Sequence, residues 1–251
     1  MVESPRDTAL TLVFVHGVLD DAAVWRSVTS VLQVPDTEVV AVDLAGMSGR
    51  PEEPGPYSLD GYANDVVAAL DGISTPVVLI GHSIGAQIVE LAAIARPDKV
   101  IGLVLIAPIP LAGAQLPEEA VAPFKSVGGN VEALRELRLQ ASPGFPEPEL
   151  TRISNAGAKI TPGAVAEFTD LWNFGVPRGR EETAFSGPVL VIRGEVDPLA
   201  NGDLIEAGVV RRFGGATVET VVGAGHWIHA EHPATVARLL AHFVTALKLT
   251  R

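Results

Sequence analysis

The stretch PVVLIGHSIGAQIVELAAIA, Pro76 to Ala95, decides the architecture. Its first five residues form an apolar, β-branched run of strand length. Its last ten are apolar almost all round, the pattern of a helix buried at the centre of a protein, and Pro97 stops that helix. Between the two stands Gly81-His82-Ser83-Ile84-Gly85. With 25 glycines in 251 residues and eleven serines, a G-x-S-x-G match arises by chance about one time in ten. The setting gives it weight. A strand–turn–helix unit with flanking glycines lets strand end and helix start approach closely. The serine hydroxyl then stands clear of both, beside a helix N-terminus that favours negative charge.

Outward from this unit, further β-branched runs recur at Thr11–Val15, Val39–Val42, Leu103–Ala107, Val189–Ile192 and Val218–Val222. Near-continuous apolar runs of this length suit strands buried on both faces of a parallel sheet. Helical patterns alternate with them at Asp21–Leu32, Leu59–Leu70 and Gly85–Arg96, and a last helix starts at Pro233 and runs to about Leu247. The alternation predicts an α/β fold with right-handed crossovers. Between Pro108 and Gly187 the strand signal disappears. Helical patterns broken by Pro and Gly take over at Pro117–Phe124, Val131–Leu139, Pro146–Ala156 and Gly163–Phe174. The expected organisation is a core of residues 1–108 and 187–251 with a helical cap inserted at 109–186.

Composition narrows the function. A hydrophobic fraction of 47% supports a large core, and a net charge of −12 argues against nucleic acid or an anionic membrane as partner. The absence of cysteine excludes thiol nucleophiles, disulfides and thiolate metal sites. No H-E-x-x-H pattern and no Gly-rich dinucleotide fingerprint are present, so no metal and no cofactor are expected. The N-terminal MVESPRDTAL has neither a positive leader nor an apolar core, and no apolar run reaches membrane-span length. A cytoplasmic protein acting on a small molecule is expected.

A serine hydroxyl needs a base to take its proton. Of six histidines, His226 follows the strand pattern ETVVGAG and falls on a loop at the sheet's carboxyl edge. His229 and His232 compete with it, but read more simply as residues of a solvated loop and helix cap. The base needs an acid to fix its tautomer. Asp197 follows VLVIRG, again at the carboxyl edge; taken alone it is also an ordinary turn aspartate before Pro198. The chain order Ser83, Asp197, His226 carries the argument.

These motifs together resemble the alpha/beta-hydrolase superfamily over nearly the whole chain. Phe14-Val15-His16-Gly17 resembles its His-Gly signature, Asp43–Ser48 its Asp-x-x-Gly-x-Ser loop, GHSIG its nucleophile elbow, and GEVDP and GAGHWIHAEHP its acid and histidine loops. The resemblance implies a catalytic triad and an oxyanion hole made by the backbone N–H groups of Val18 and Ile84, each worth ~3 kcal/mol of barrier. His16 is expected to be structural. An alternative acid site after the preceding strand reads LIAPIPL and holds no carboxylate. Relatives often open with an antiparallel hairpin. Only ten residues precede Thr11, so a mostly parallel sheet of about six strands is expected.

The resemblance leaves the reaction open. Ser83 excludes the Asp-nucleophile dehalogenases and epoxide hydrolases. Trp227 stands where plant-type hydroxynitrile lyases carry Lys. Hydrolysis of small to medium apolar carboxylic esters through an acyl-enzyme is the favoured reading. A carbon–carbon-bond hydrolase or lyase would need a cation for a substrate carboxylate. Arg135, Arg138, Arg152, Arg178 and Arg180 lie in the insertion, but read more simply as solvated helix charges. A cofactor-free perhydrolase would use the same triad, and a triad-retaining ligand receptor or signalling regulator is the non-enzyme alternative. Trp25, Phe124, Phe168, Trp172 and Trp227 are candidate pocket residues; for the insertion's aromatics the simpler role is a small core of their own.

Overall fold

The computed structural model of the chain describes residues 9–249. Six strands form one sheet: β1 (Leu10–Val15), β2 (Thr37–Val42), β3 (Val77–His82), β4 (Val100–Ile106), β5 (Val189–Gly194) and β6 (Thr217–Val221). Their spatial order is β2-β1-β3-β4-β5-β6, and every pairing is parallel. No antiparallel hairpin precedes β1 among the described residues; residues 1–8 lie outside them.

Burial follows position in the sheet. β1 and β3 are buried along their whole length, while the edge strands β2 and β6 are largely exposed. The Ile84–Ala95 helix is buried from Ile84 to Ala93, as its all-round apolar pattern requires. Close approach at the elbow depends on glycine. A Cβ on Gly81 would sit 2.3 Å from the Gly85 carbonyl oxygen, and one on Gly85 would sit 2.5 Å from the Val15 carbonyl oxygen.

Two helical expectations differ from what is found. Asp21–Leu32 is a 3-10 turn, Ala22–Trp25, followed by one α-turn, Arg26–Thr29. There Thr29 and Ser30 hydroxyls donate to the Arg26 and Ser27 carbonyls, so side chains compete with helix propagation. Residues 202–213, given no helix from the sequence, form one with a π-helical segment at Glu206–Val210.

Four helices fill the connection from β4 to β5: Glu118–Lys125, Val131–Ala141, Glu147–Gly157 and Pro162–Phe174. Asn130 and Thr161 open the second and fourth, their side chains accepting from the N–H groups of Ala133 and Ala164. Among the described residues no helix is long and apolar enough to cross a membrane.

Strand order fixes where a site can form. From β1 the chain moves outward to β2, and from β3 it moves the other way to β4. The carboxyl ends of β1 and β3 therefore flank a topological switch point, where a crevice opens above the sheet.

Candidate active site

Ser83 stands directly after β3, at this crevice. Its backbone takes φ 55° and ψ −118°, a conformation L-residues rarely adopt. The Ser83 N–H donates to the Ile106 carbonyl of β4 at 3.0 Å, and Ala86 N–H donates to the Ser83 carbonyl. The turn is thus held from both sides. Among the described residues, the backbone N–H groups of Val18 and Ile84 have no acceptor. Val18 follows β1 and Ile84 opens the helix, so both free donors border the serine.

His226 and Asp197 arrive from the far half of the sheet. Asp197 follows β5, and its Oδ1 accepts the N–H groups of Leu199 and Ala200 at 2.8 and 3.1 Å. Its Oδ2 lies 2.8 Å from Nδ1 of His226. Burial opposes ionisation of Asp197, but the His226 ring and the two N–H groups outweigh it and hold the carboxyl below its ordinary value. No hydrogen bond joins Ser83 Oγ to His226, although both line one cavity. Such contacts are often open in unliganded enzymes.

The end of the Val131–Ala141 helix and the turn after it fix the histidine loop. His226 N–H donates to the Ala141 carbonyl at 2.8 Å, and Trp227 N–H donates to Ser142 Oγ at 2.7 Å. Glu231 accepts from Gly225 N–H and Gly144 N–H, tying the loop to the same helix end. A Cβ on Gly225 would lie 2.2 Å from the Ala141 oxygen, so only glycine permits this docking.

The cavity is lined by Val18, Ser83, Phe124, Trp172, His226 and Trp227, among others. Trp25 and Phe168 do not line it, contrary to expectation. Trp25 is buried under the site, its ring 5.1 Å from Phe14 and 4.4 Å from His229. Phe168 turns toward Tyr57, 4.7 Å away, while Trp172, one helical turn on, faces Phe124 at 5.5 Å. A separation of four residues leaves side chains angularly offset, enough here to split them between core and cavity.

Two further readings need correction. His229 is not on a solvated loop. It is fully buried beneath the site, its ring 4.5 Å from that of His82. Arg138 is not a solvated helix charge. It is fully buried, lines the cavity, and places Nη2 at 2.8 Å from the Leu19 carbonyl and 3.1 Å from Asp20 Oδ1. Asp20, also buried, accepts the Trp227 indole N–H on Oδ2 at 2.8 Å. Sequence reading passed over Asp20 and Ser142 and set Arg138 aside as a solvated charge. The available signal was helical spacing: Arg138 falls between Leu134 and Ala141 on the helix's buried face.

Burial shapes the charges of this group. It pushes Asp20 up, against the pull of Arg138 and Trp227, and pushes Arg138 down, against Asp20. His82 is lowered well below its ordinary value by burial and by its neighbours His229 and His226; its Nε2 faces the His226 carbonyl at 3.1 Å. Asp20, His82 and His229 bring ligand atoms within 4.8 Å of one another, a donor set a divalent cation could use. Both Asp20 oxygens are already acceptors, so a cation would share them with Arg138 and Trp227.

His229 makes acid stability testable. Burial, with the His226 charge, lowers its pKa to about 3. The unfolded chain takes a proton there near pH ~6.5, and the folded chain does not. Its contribution is therefore complete above that pH and is lost as pH falls toward 3, with a slope of about 1.4 kcal/mol per pH unit. Urea unfolding of His229→Leu between pH 4.5 and 7 should show a slope shallower than wild type by about one proton. Equal slopes would mean that His229 titrates in the folded protein.

A model of the alpha/beta hydrolase family matches residues 12–239. Lipase LipV of Mycobacterium tuberculosis is 29% identical over 182 residues, covering 70% of this chain and 62% of that protein. Esterase YbfF of Escherichia coli is 25% identical over 248 residues, covering 93% of this chain and 92% of that one. Bromoperoxidase of Bacillus anthracis matches in structure with a TM-score of 0.82, over 95% of this chain and 92% of that one, at 19% identity; this likeness speaks for the fold alone. By a family match that runs from the first strand into the last helix, the chain belongs to the alpha/beta hydrolase family.

Proposed function

We propose that the protein is a serine carboxylesterase that cleaves small to medium apolar esters through an acyl-enzyme on Ser83. The observation that carries this reading is the buried Asp197–His226 pair, opening into the same apolar cavity as a serine on a strained turn. In the proposed reaction Ser83 Oγ attacks the ester carbonyl carbon while His226 Nε2 takes its proton. Asp197 Oδ2 accepts the Nδ1–H, fixing the tautomer and stabilising the imidazolium. The Val18 and Ile84 N–H groups receive the carbonyl oxygen as it gains charge. The C–O bond breaks, His226 protonates the departing alcohol, and water repeats the sequence to free the acid and Ser83. The lipase and esterase among the relatives support ester chemistry.

The same reading treats residues 109–186 as a cap over a core of 1–108 and 187–251. The cavity carries Leu116, Phe124, Leu137 and Trp172 from the insertion over a floor from the sheet edge. A roofed apolar pocket accepts a compact acyl group, whereas a long chain must displace the roof. A kcat/KM series of p-nitrophenyl esters should therefore peak at short to medium acyl chains. Trp172→Ala should move the optimum toward bulkier chains, at a stability cost of about 3 kcal/mol for a buried indole. A wild-type optimum at long chains would contradict the closed pocket. An unshifted optimum in the variant would return Trp172 to a purely structural role.

A further inference from the structure

Among the described residues, Arg138 is the one arginine, lysine or carboxylate side chain in the cavity wall, whose other titratable groups are His82 and His226. Its guanidinium is only partly engaged. Nη2 holds the Leu19 carbonyl and Asp20 Oδ1, while Nε and Nη1 are buried with no acceptor among the described residues. Arg138 thus lines the chamber that also contains Ser83 and His226, and three N–H donors of its guanidinium lie buried without a partner among the described residues. A buried donor without a partner is costly, and native proteins rarely leave one unmatched without a reason.

The guanidinium packs over the Trp227 ring at 5.5 Å, and Asp20 ties Arg138 and the Trp227 indole into one rigid unit. That unit holds the free N–H groups in place before any ligand arrives, as a recognition element should be held.

We propose that Arg138 is a specificity residue, which donates a hydrogen bond from Nε or Nη1 to an uncharged oxygen on the substrate's acyl group. The inference rests on the ester-hydrolase reading of the site and names its substrate class: short acyl chains carrying a hydroxyl or keto oxygen. The charge balance selects an uncharged oxygen over a carboxylate. Asp20 already neutralises Arg138, and both Asp20 oxygens are in use. A substrate carboxylate would add a second buried negative charge beside Asp20, at a high desolvation cost. A hydroxyl or carbonyl takes the N–H without adding charge.

The test compares ethyl esters matched in shape, with oxygen exchanged for methyl or methylene. Suitable pairs are lactate and isobutyrate, β-hydroxybutyrate and isovalerate, and levulinate and isocaproate; monoethyl succinate supplies the carboxylate. Each kcat/KM is divided by the ester's hydroxide-catalysed rate constant, which removes intrinsic reactivity. Wild type should favour the oxygenated member of at least one pair about tenfold, the worth of one good buried hydrogen bond. In Arg138→Met that ratio should fall toward one, whatever happens to the absolute rate. Should this variant fail to fold, Arg138→Met combined with Asp20→Asn removes both charges together and gives the same reading.

No preference in wild type overturns the proposal, and is the result expected if water simply occupies the donors. A preference that survives in Arg138→Met overturns it as well, because another group then reads the oxygen. Monoethyl succinate as the best substrate overturns the choice of an uncharged acceptor. If simple alkyl esters are hydrolysed without an oxygen preference, only this inference falls. If wild type cleaves none of the esters, the ester-hydrolase reading falls and takes this inference with it.

Discussion

Ser83→Ala should lower ester turnover by a factor on the order of 10⁴ to 10⁶ while leaving the melting temperature nearly unchanged. The two halves of this expectation have separate causes. Activity is lost because no other serine and no cysteine lines the cavity, and its other hydroxyl, on Thr169, donates to the Val165 carbonyl of its own helix. Stability is kept because the strain at this position belongs to the backbone. Alanine meets the same φ of 55°, and the Ser83 N–H and carbonyl keep their bonds to Ile106 and Ala86. The hydroxyl itself makes no hydrogen bond to another described residue that its loss would break. Purified variant and wild type would be compared in thermal melts and in p-nitrophenyl ester hydrolysis. A fluorophosphonate probe should label Ser83 in wild type and nothing in the variant. Retention of more than a few per cent of turnover would remove Ser83 from the nucleophile's role.

Much of this site was legible in the sequence because parallel strands leave strong local marks. The runs that became β1, β3, β4 and β5 are apolar on both faces, so they stood out without any knowledge of their partners. Once the sheet was parallel, every residue just after a strand had to fall on one edge, which brings Val18, Ser83, Asp197 and His226 to a common side. What stayed hidden depends on contacts distant in sequence. Arg138 and Asp20 lie 118 residues apart, and neither looks unusual alone. An arginine on an amphipathic helix is ordinarily solvated, and only the docking of that helix against the Leu19 turn buries it. His229 misled for the same reason. Its neighbours in sequence are loop-like, while its neighbours in space are His82 and Trp25. Trp25 and Phe168 were misplaced because aromatic content predicts an apolar environment but not which of two apolar environments, core or cavity, a ring enters.

Asp197→Asn should cost on the order of 10⁴-fold in kcat, and the loss should not add to that of Ser83→Ala. The geometry explains why an isosteric change would be so damaging. Asp197 Oδ1 accepts two N–H groups, from Leu199 and Ala200, and Oδ2 faces His226 Nδ1. Asparagine would keep its oxygen toward the two N–H donors, since its amide nitrogen cannot accept from them. The NH₂ would then face Nδ1, which must become the acceptor. The ring proton moves to Nε2, the atom proposed to take the Ser83 proton, and the base is blocked by its own tautomer. Little packing changes, so the fold should persist. His226→Ala should reduce kcat by a comparable amount through outright loss of the base. The double variants with Ser83→Ala should be no slower than Ser83→Ala alone, because without the nucleophile the pair has nothing to activate. His232→Ala, on a half-buried residue outside the cavity, serves as the control and should be mild. The measurement is kcat for the four single and two double variants on one ester. Additive losses would mean that Asp197 and His226 act independently of Ser83, and the triad assignment would then fail even with each residue important by itself.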